Sequence, residues 1–301
     1  MEREHDFAME FRLRELDPAL HRRFTDGVFG LQQILSNYQL IFPEYTDHTE
    51  LHSLTVIDFC NRLIGDQMER MNADEIYALL MGCYFHDTGM GVSKKDYEAF
   101  SRQIDMGDFP VQHPDAPVPV VIRTFHNEYS GLFIRKYADF FELPSEAHLR
   151  AVIQIARGHR KTDLMDERVY PRALPVPGGN TICLPYLSAL VRLADEIDVT
   201  SARNSPLLYD IGAMTDEVER AEHLRHRAVH GLEIDPEAFL LRIDDTDPVV
   251  TGSIRRMAEK MQATLDECRA AVNGRTGFVI TQREVRVLPD RQGADGHAAT
   301  K

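Results

Sequence analysis

Histidines and aspartates recur in short clusters along the middle of this 301-residue chain. TDHTELHS places His48 and His52 four residues apart, on one helix face. YFHDTGM carries an adjacent His86-Asp87, and VRLADEID sets Asp195 and Asp198 one helical turn apart. His126, in TFHNEYS, and His159, in ARGHRK, stand alone between them. Imidazoles and carboxylates without thiolates suit a catalytic divalent metal with open positions for water better than a closed structural zinc site. Singly, each cluster has an ordinary explanation. A lone histidine on an apolar helix is more often a satisfied core or surface residue than a ligand. An Asp-x-x-Asp pair is usually solvated, and Arg192 stands at the spacing for an ion pair with Glu196. Jointly they are harder to dismiss. His86-Asp87 ends the apolar run Ile76 to Phe85, and Asp195 follows Leu187, Leu190, Val191 and Leu193, so both are carried by core helices. Buried ionisable groups are costly unless paired, hydrogen-bonded or metal-bound.

The elements that must position these residues are mostly helices. The first forty residues read as helices around a turn at Thr25-Asp26-Gly27. A helix capped at Thr46-Asp47 carries Leu51, Leu54, Val56, Ile57, Phe59, Leu63 and Ile64 inward with His52 near its start. The next begins near Asn72, with Asp74 and Glu75 opposing the macrodipole, and breaks at Gly89-Met90-Gly91. Lys94 to Ile104 reads as a short helix and Asp105 to Pro119 as a loop. Val120 to Phe141 and Ser145 to Gly158 read as helices that bring in His126 and His159. Thr162 to Asn180, with three prolines and Gly178-Gly179, reads as a long irregular lid or connector, and Ile182 to Thr200 as a helix. Beyond Pro206, Val229 to Ile243 and Gly277 to Val287 have strand character, with a helix over Val249 to Val272 between them. The expected fold class is mainly α, a helical bundle with a small C-terminal α+β appendage. Its divisions are an N-terminal helical segment at 1–42, a metal-binding helical core at 43–205, an α+β segment at 206–289 and a disordered tail at 290–301.

Composition narrows the function classes. An apolar share of 43% and a charged share of 27% are those of a globular protein. The formal charge of −14 weighs against a nucleic-acid duplex as partner, yet leaves a nucleotide substrate open, since a bound metal reverses the local potential of an acidic pocket. Cys60, Cys83, Cys183 and Cys268 show no C-x-x-C spacing, and three sit in apolar stretches, so reduced structural thiols are expected. The charged N-terminus shows no signal peptide and no apolar run reaches membrane-spanning length, so the expectation is a cytoplasmic protein without membrane attachment. Self-association is left open.

The ordered series His52 (HSLTV), His86-Asp87 (YFHDTGM) and Asp195 (RLADEID) resembles the H…HD…D signature of the HD-domain metal-dependent phosphohydrolases. The resemblance runs from about Thr46 to Arg203 and is closest to a poorly characterised bacterial subgroup, some of whose members are linked to chaperone-type ATPase domains. It implies an HD-type helical bundle in which His52, His86, Asp87 and Asp195 hold one metal. His126 and His159 stand where two-metal members carry two further histidines, which would make Asp87 the bridge to a second ion. Beside a single metal, they would instead be phosphate contacts or general acids. The implied cofactor is one or two divalent ions among Mn, Fe, Co, Ni, Zn and Mg. The implied substrate is a small phosphoester such as a nucleotide, with monoesterase and diesterase both open. Among catalytic candidates, Asp87 sits at the metal, and Arg160 and Lys161 are phosphate contacts or else a solvated basic pair. His48 is a partner of a ligand or the leaving-group acid, and Asp198 a group that orients a ligand. Met90 departs from the basic residue many members carry after the HD turn. Two other readings stand beside hydrolysis: a regulator that binds nucleotide or metal without turnover and works through partners, and di-iron oxygenase chemistry.

Overall fold

A computed structural model describes residues 7–35, 41, 50–160, 162–200, 217–244 and 246–290. His48, Lys161, the Thr46-Asp47 cap and the tail beyond 290 lie outside the described residues. The fold is mainly α with small sheets, and the described residues divide into two compact units. One comprises the described residues up to 195 together with 268–280, and the other those of 196–267 and 281–290.

In the first unit, α1 (Ala8–Leu16) and α2 (Pro18–Leu35) precede α3 (Glu50–Ile64) and α4 (Ala73–Phe85). The helix α4 is the central rod. Asp74 to Phe85 are all buried, as expected of a helix that is apolar on every side. It packs against α1, α2, α3 and the later helix α8 (Glu146–Gly158). Its start is fixed by a capping box: Asn72 Oδ1 accepts from Glu75 N–H at 3.0 Å, and Glu75 Oε2 accepts from Asn72 N–H at 3.2 Å. The turn expected at Thr25-Asp26-Gly27 is not formed. There α2 runs through unbroken, and Gly27 allows close approach to Met81, whose Cε lies 3.3 Å from where a Cβ would stand.

Past the 3-10 turn Thr88–Gly91 come α5 (Lys94–Phe100), the single-turn α6 (Phe109–Gln112) within the expected loop, α7 (Val118–Lys136), α8 and α9 (Leu184–Ile197). The connector 162–180 is tied down. It buries Leu164, Tyr170, Leu174 and Val176 and ends in a two-stranded ladder of β1 (Leu174–Pro175) and β2 (Thr181–Ile182). The N-terminal end of α4 grips it: Asn180 Nδ2 donates to Asp74 Oδ2 at 2.7 Å, Asn72 Nδ2 to the Thr181 carbonyl at 2.9 Å, and Cys183 N–H to Glu75 Oε1 at 3.1 Å. Of the side chains expected to pair on α9, Glu196 meets Lys260 at 2.9 Å, and Arg192 turns onto backbone carbonyls.

The second unit holds α10 (Glu217–Ala228) and a sheet ordered β3 (Val229–Ile234), β4 (Ala238–Ile243), β5 (Glu284–Pro289). The first two strands form an antiparallel hairpin; β4 and β5 are parallel, joined by the crossover helix α11 (Pro248–Val272). Val229, Leu241, Ile243, Ile254 and Met261 form its core. Strand β5 starts later than expected, because 277–280 is held by side-chain clamps. Gln67 bonds both ways with the Val279 backbone at 2.8 Å, and Asn273 Oδ1 accepts from Ile280 N–H at 2.8 Å. Among the described residues no helix is long and apolar enough to cross a membrane. All four cysteines are free and buried; Cys60 and Cys83 lie 3.9 Å apart, and burial pushes the Cys60 thiol well up.

Candidate metal centre

His52, His86, Asp87, His126, His159 and Asp195 come from five separate stretches of the first unit and converge on one spot. His52 heads the buried stripe of α3 that continues through Val56, Cys60 and Leu63, whereas Leu51, expected inward, lies off that stripe and is exposed. His86 is the last residue of α4 in helical conformation, and Asp87 follows at φ −104°, ψ 6°, the bridge region in which active-site residues often sit. His159 ends α8 in the same manner. His126 follows Phe125, whose non-helical backbone (φ −117°, ψ 16°) kinks α7 at that point.

Three of the four histidines are held by one local device. The Nδ1 of His86 bonds the Cys83 carbonyl at 2.7 Å, that of His126 the Arg123 carbonyl at 2.7 Å, and that of His159 the Ala156 carbonyl at 2.5 Å. A carbonyl only accepts, so each Nδ1 carries the hydrogen, and a neutral ring then presents a bare lone pair at Nε2. The His126 and His159 Nε2 atoms nevertheless face each other at 2.8 Å, both buried. Protonation does not relieve the conflict. Burial lowers the His126 pKa to about 4 against the pull of Asp87, and burial together with the neighbouring His126 and His86 holds His159 well below the ordinary imidazole value. A cation held between the two rings would remove the repulsion.

Asp87 divides its carboxylate. Its Oδ1 lies 3.4 Å from His126 Nε2 and 3.7 Å from His159 Nε2, while its Oδ2 lies 3.5 Å from His52 Nε2 and 3.3 Å from His86 Nε2. His52 and His86 Nε2 are 3.1 Å apart, and Asp195 Oδ1 is 3.2 Å from His52 and 3.9 Å from His86. Two ligand atoms each ~2.1 Å from an ion stand about 3.0 Å apart at a right angle and about 3.4 Å apart at the tetrahedral angle. These spacings fit two groups able to hold a divalent cation, His52–His86–Asp87 and Asp87–His126–His159, with Asp195 beside the first. Burial works against charge on His86, but the Asp87 charge and hydrogen bond and the Asp195 charge outweigh it and raise its pKa to about 9. Asp195 is held well below the usual carboxylate range: burial is overcome by its His52 bond and the charges of His86 and His159.

A family model described as HD-CE matches residues 42–274. The chain belongs to the HD-CE family. No curated protein and no solved structure matches it.

Two residues that support this HD-CE site escaped the sequence reading. Ser130, one turn after His126, donates from Oγ to the His86 carbonyl at 2.6 Å and accepts from Gly89 N–H at 2.8 Å, sewing the HD turn to α7. The i, i+4 spacing of His126 and Ser130 was its only sequence signal. Arg192, expected on the helix surface, is buried against the turn after His159. Met90 is buried as well, so the HD turn presents an apolar core residue there. Arg160 is half-buried beside His159, and Asp198 is buried in the second unit.

Proposed function

We propose that the chain is a metal-dependent phosphohydrolase that cleaves a nucleotide or related phosphoester with an activated water. The observation that carries this reading is the face-to-face lone pairs of His126 and His159 with a carboxylate oxygen of Asp87 in front of them. His52, His86, Asp87 and Asp195 would hold one divalent ion, and Asp87, His126 and His159 a second. When bound, such ions lower the pKa of a water toward neutrality and offset charge on phosphoryl oxygens. The protein's own part is to hold the donors in place before substrate arrives. The three Nδ1 bonds fix ring orientation and tautomer, as the outer partners of ligating histidines do elsewhere. His86 and His159 are sealed from solvent, whereas Asp195 is 19% exposed and His126 8%, so access is from their side. Donor sets of three and four leave positions for water and a phosphoryl oxygen.

The test is metal analysis together with turnover of generic phosphomonoesters and phosphodiesters, on the parent and on the double variant His86→Ala, Asp87→Ala. The parent should carry divalent metal and turn over at least one ester class, and the double variant should lose both. Turnover that survives the double replacement sinks the assignment.

A further inference from the structure

The turn that follows His159 carries three arginines in its surroundings, and two of them are engaged by protein partners. Arg157 pairs with Glu128 at 2.8 Å. Arg192, buried on α9, donates from Nε to the Gly158 carbonyl at 2.7 Å and from one terminal nitrogen to the Thr162 carbonyl at 2.8 Å and the Thr162 hydroxyl at 3.0 Å. That hydroxyl meets Tyr170 Oη at 2.8 Å, and Thr162 N–H closes the turn onto the Arg160 carbonyl at 2.8 Å. The backbone on both sides of Arg160 is therefore pinned, by the helix that also carries Asp195.

Arg160 is the third. It is half-buried, and among the described residues no carboxylate or other acceptor pairs with its guanidinium. Its charge is felt at His126, on the neighbouring helix. A cation withdrawn from water without a partner is costly, and a planar guanidinium fits the oxygens of a phosphate in a bidentate fork.

We infer that Arg160 is the anion-recognition residue of this centre, gripping a phosphoryl group presented at the His126–His159 side, and that Arg192 is the positioning residue that aims it. The inference rests on the reading of the centre as a phosphate-handling metal site and names the residue that grips the phosphate there and the one that aims it.

Inorganic phosphate titrated calorimetrically into the manganese-loaded full chain tests it, with metal content measured for every variant. Arg160→Gln should weaken phosphate by about tenfold or more, the scale of a lost hydrogen bond to a charged group, at unchanged metal content. Arg160→Lys should recover part of that loss. Arg192→Lys, which keeps the charge but not the fork, should weaken phosphate several-fold with metal retained. A parent that binds no phosphate, or an Arg160→Gln variant that binds it as well as the parent, overturns the role of Arg160. Arg192→Lys that keeps the parent's affinity, or that loses metal or fold, overturns the role of Arg192. The two readings fail separately. Phosphate held through Arg160 without turnover of any ester refutes hydrolysis alone, and turnover with an unaltered Arg160→Gln refutes only the grip.

Discussion

His126 and His86 show how opposite demands meet within one cluster of side chains. In the metal-free chain His126 stays neutral down to about 4, whereas an unfolded imidazole takes up its proton near about 6.5. Between those values the unfolded state binds more protons, so stability falls as pH falls through that window, by about 3 kcal/mol. His86 runs the other way. Raised to about 9, it keeps its proton after an unfolded ring has released it, so its contribution is complete below about 6.5 and is lost as pH rises toward 9. Thermal stability of the chelated protein is therefore expected to peak near about pH 6.5 and to decline on both sides. Melting curves across that range check this, and a steady rise to alkaline pH would contradict it.

At the scale of elements, the site is built from helix ends and one kink. The carbonyls that bond the Nδ1 atoms of His86 and His159 lie in the last turns of α4 and α8, where helix carbonyls lack intrahelical partners. The apolar run leading to His86-Asp87, the start near Asn72 and the Ser145–Gly158 helix were legible in the sequence because core periodicity and capping residues are local signals. The kink at Phe125 was not, because no proline or glycine stands there to signal it. Gly89 shows the same dependence. A Cβ there would collide with the His126 carbonyl oxygen and stand 2.7 Å from Ser130 N, so only glycine lets the HD turn lie flat on α7. Gly89→Ala should destabilise the protein by about 1–3 kcal/mol through overpacking, and metal should be lost first from the side of His126. Urea unfolding and metal analysis together read both effects.

At the scale of the whole molecule, the second unit has its own core, in which Leu241 is fully buried. Leu241→Ala should cost about 2–5 kcal/mol, seen as faster hydrogen exchange of the β3 and β4 amides. Alternating or β-branched apolar residues gave Val229 to Ile243 strand character as one stretch, but its folding back into the β3–β4 hairpin and the parallel pairing of β4 with β5 across a long helix follow only from the assembled sheet. The same distinction governs the candidate site. Residue types, core helices and the order H…HD…H…H…D are properties of the chain, so the mainly α class and the six His and Asp positions could be read from it. Which oxygen of Asp87 faces which histidine pair, that two Nε2 lone pairs meet at 2.8 Å, and that Arg192 turns inward to hold the turn of Arg160 were decided only by the tertiary structure. These are contacts between residues tens of positions apart, and local pattern carries no information about the closing of such distances.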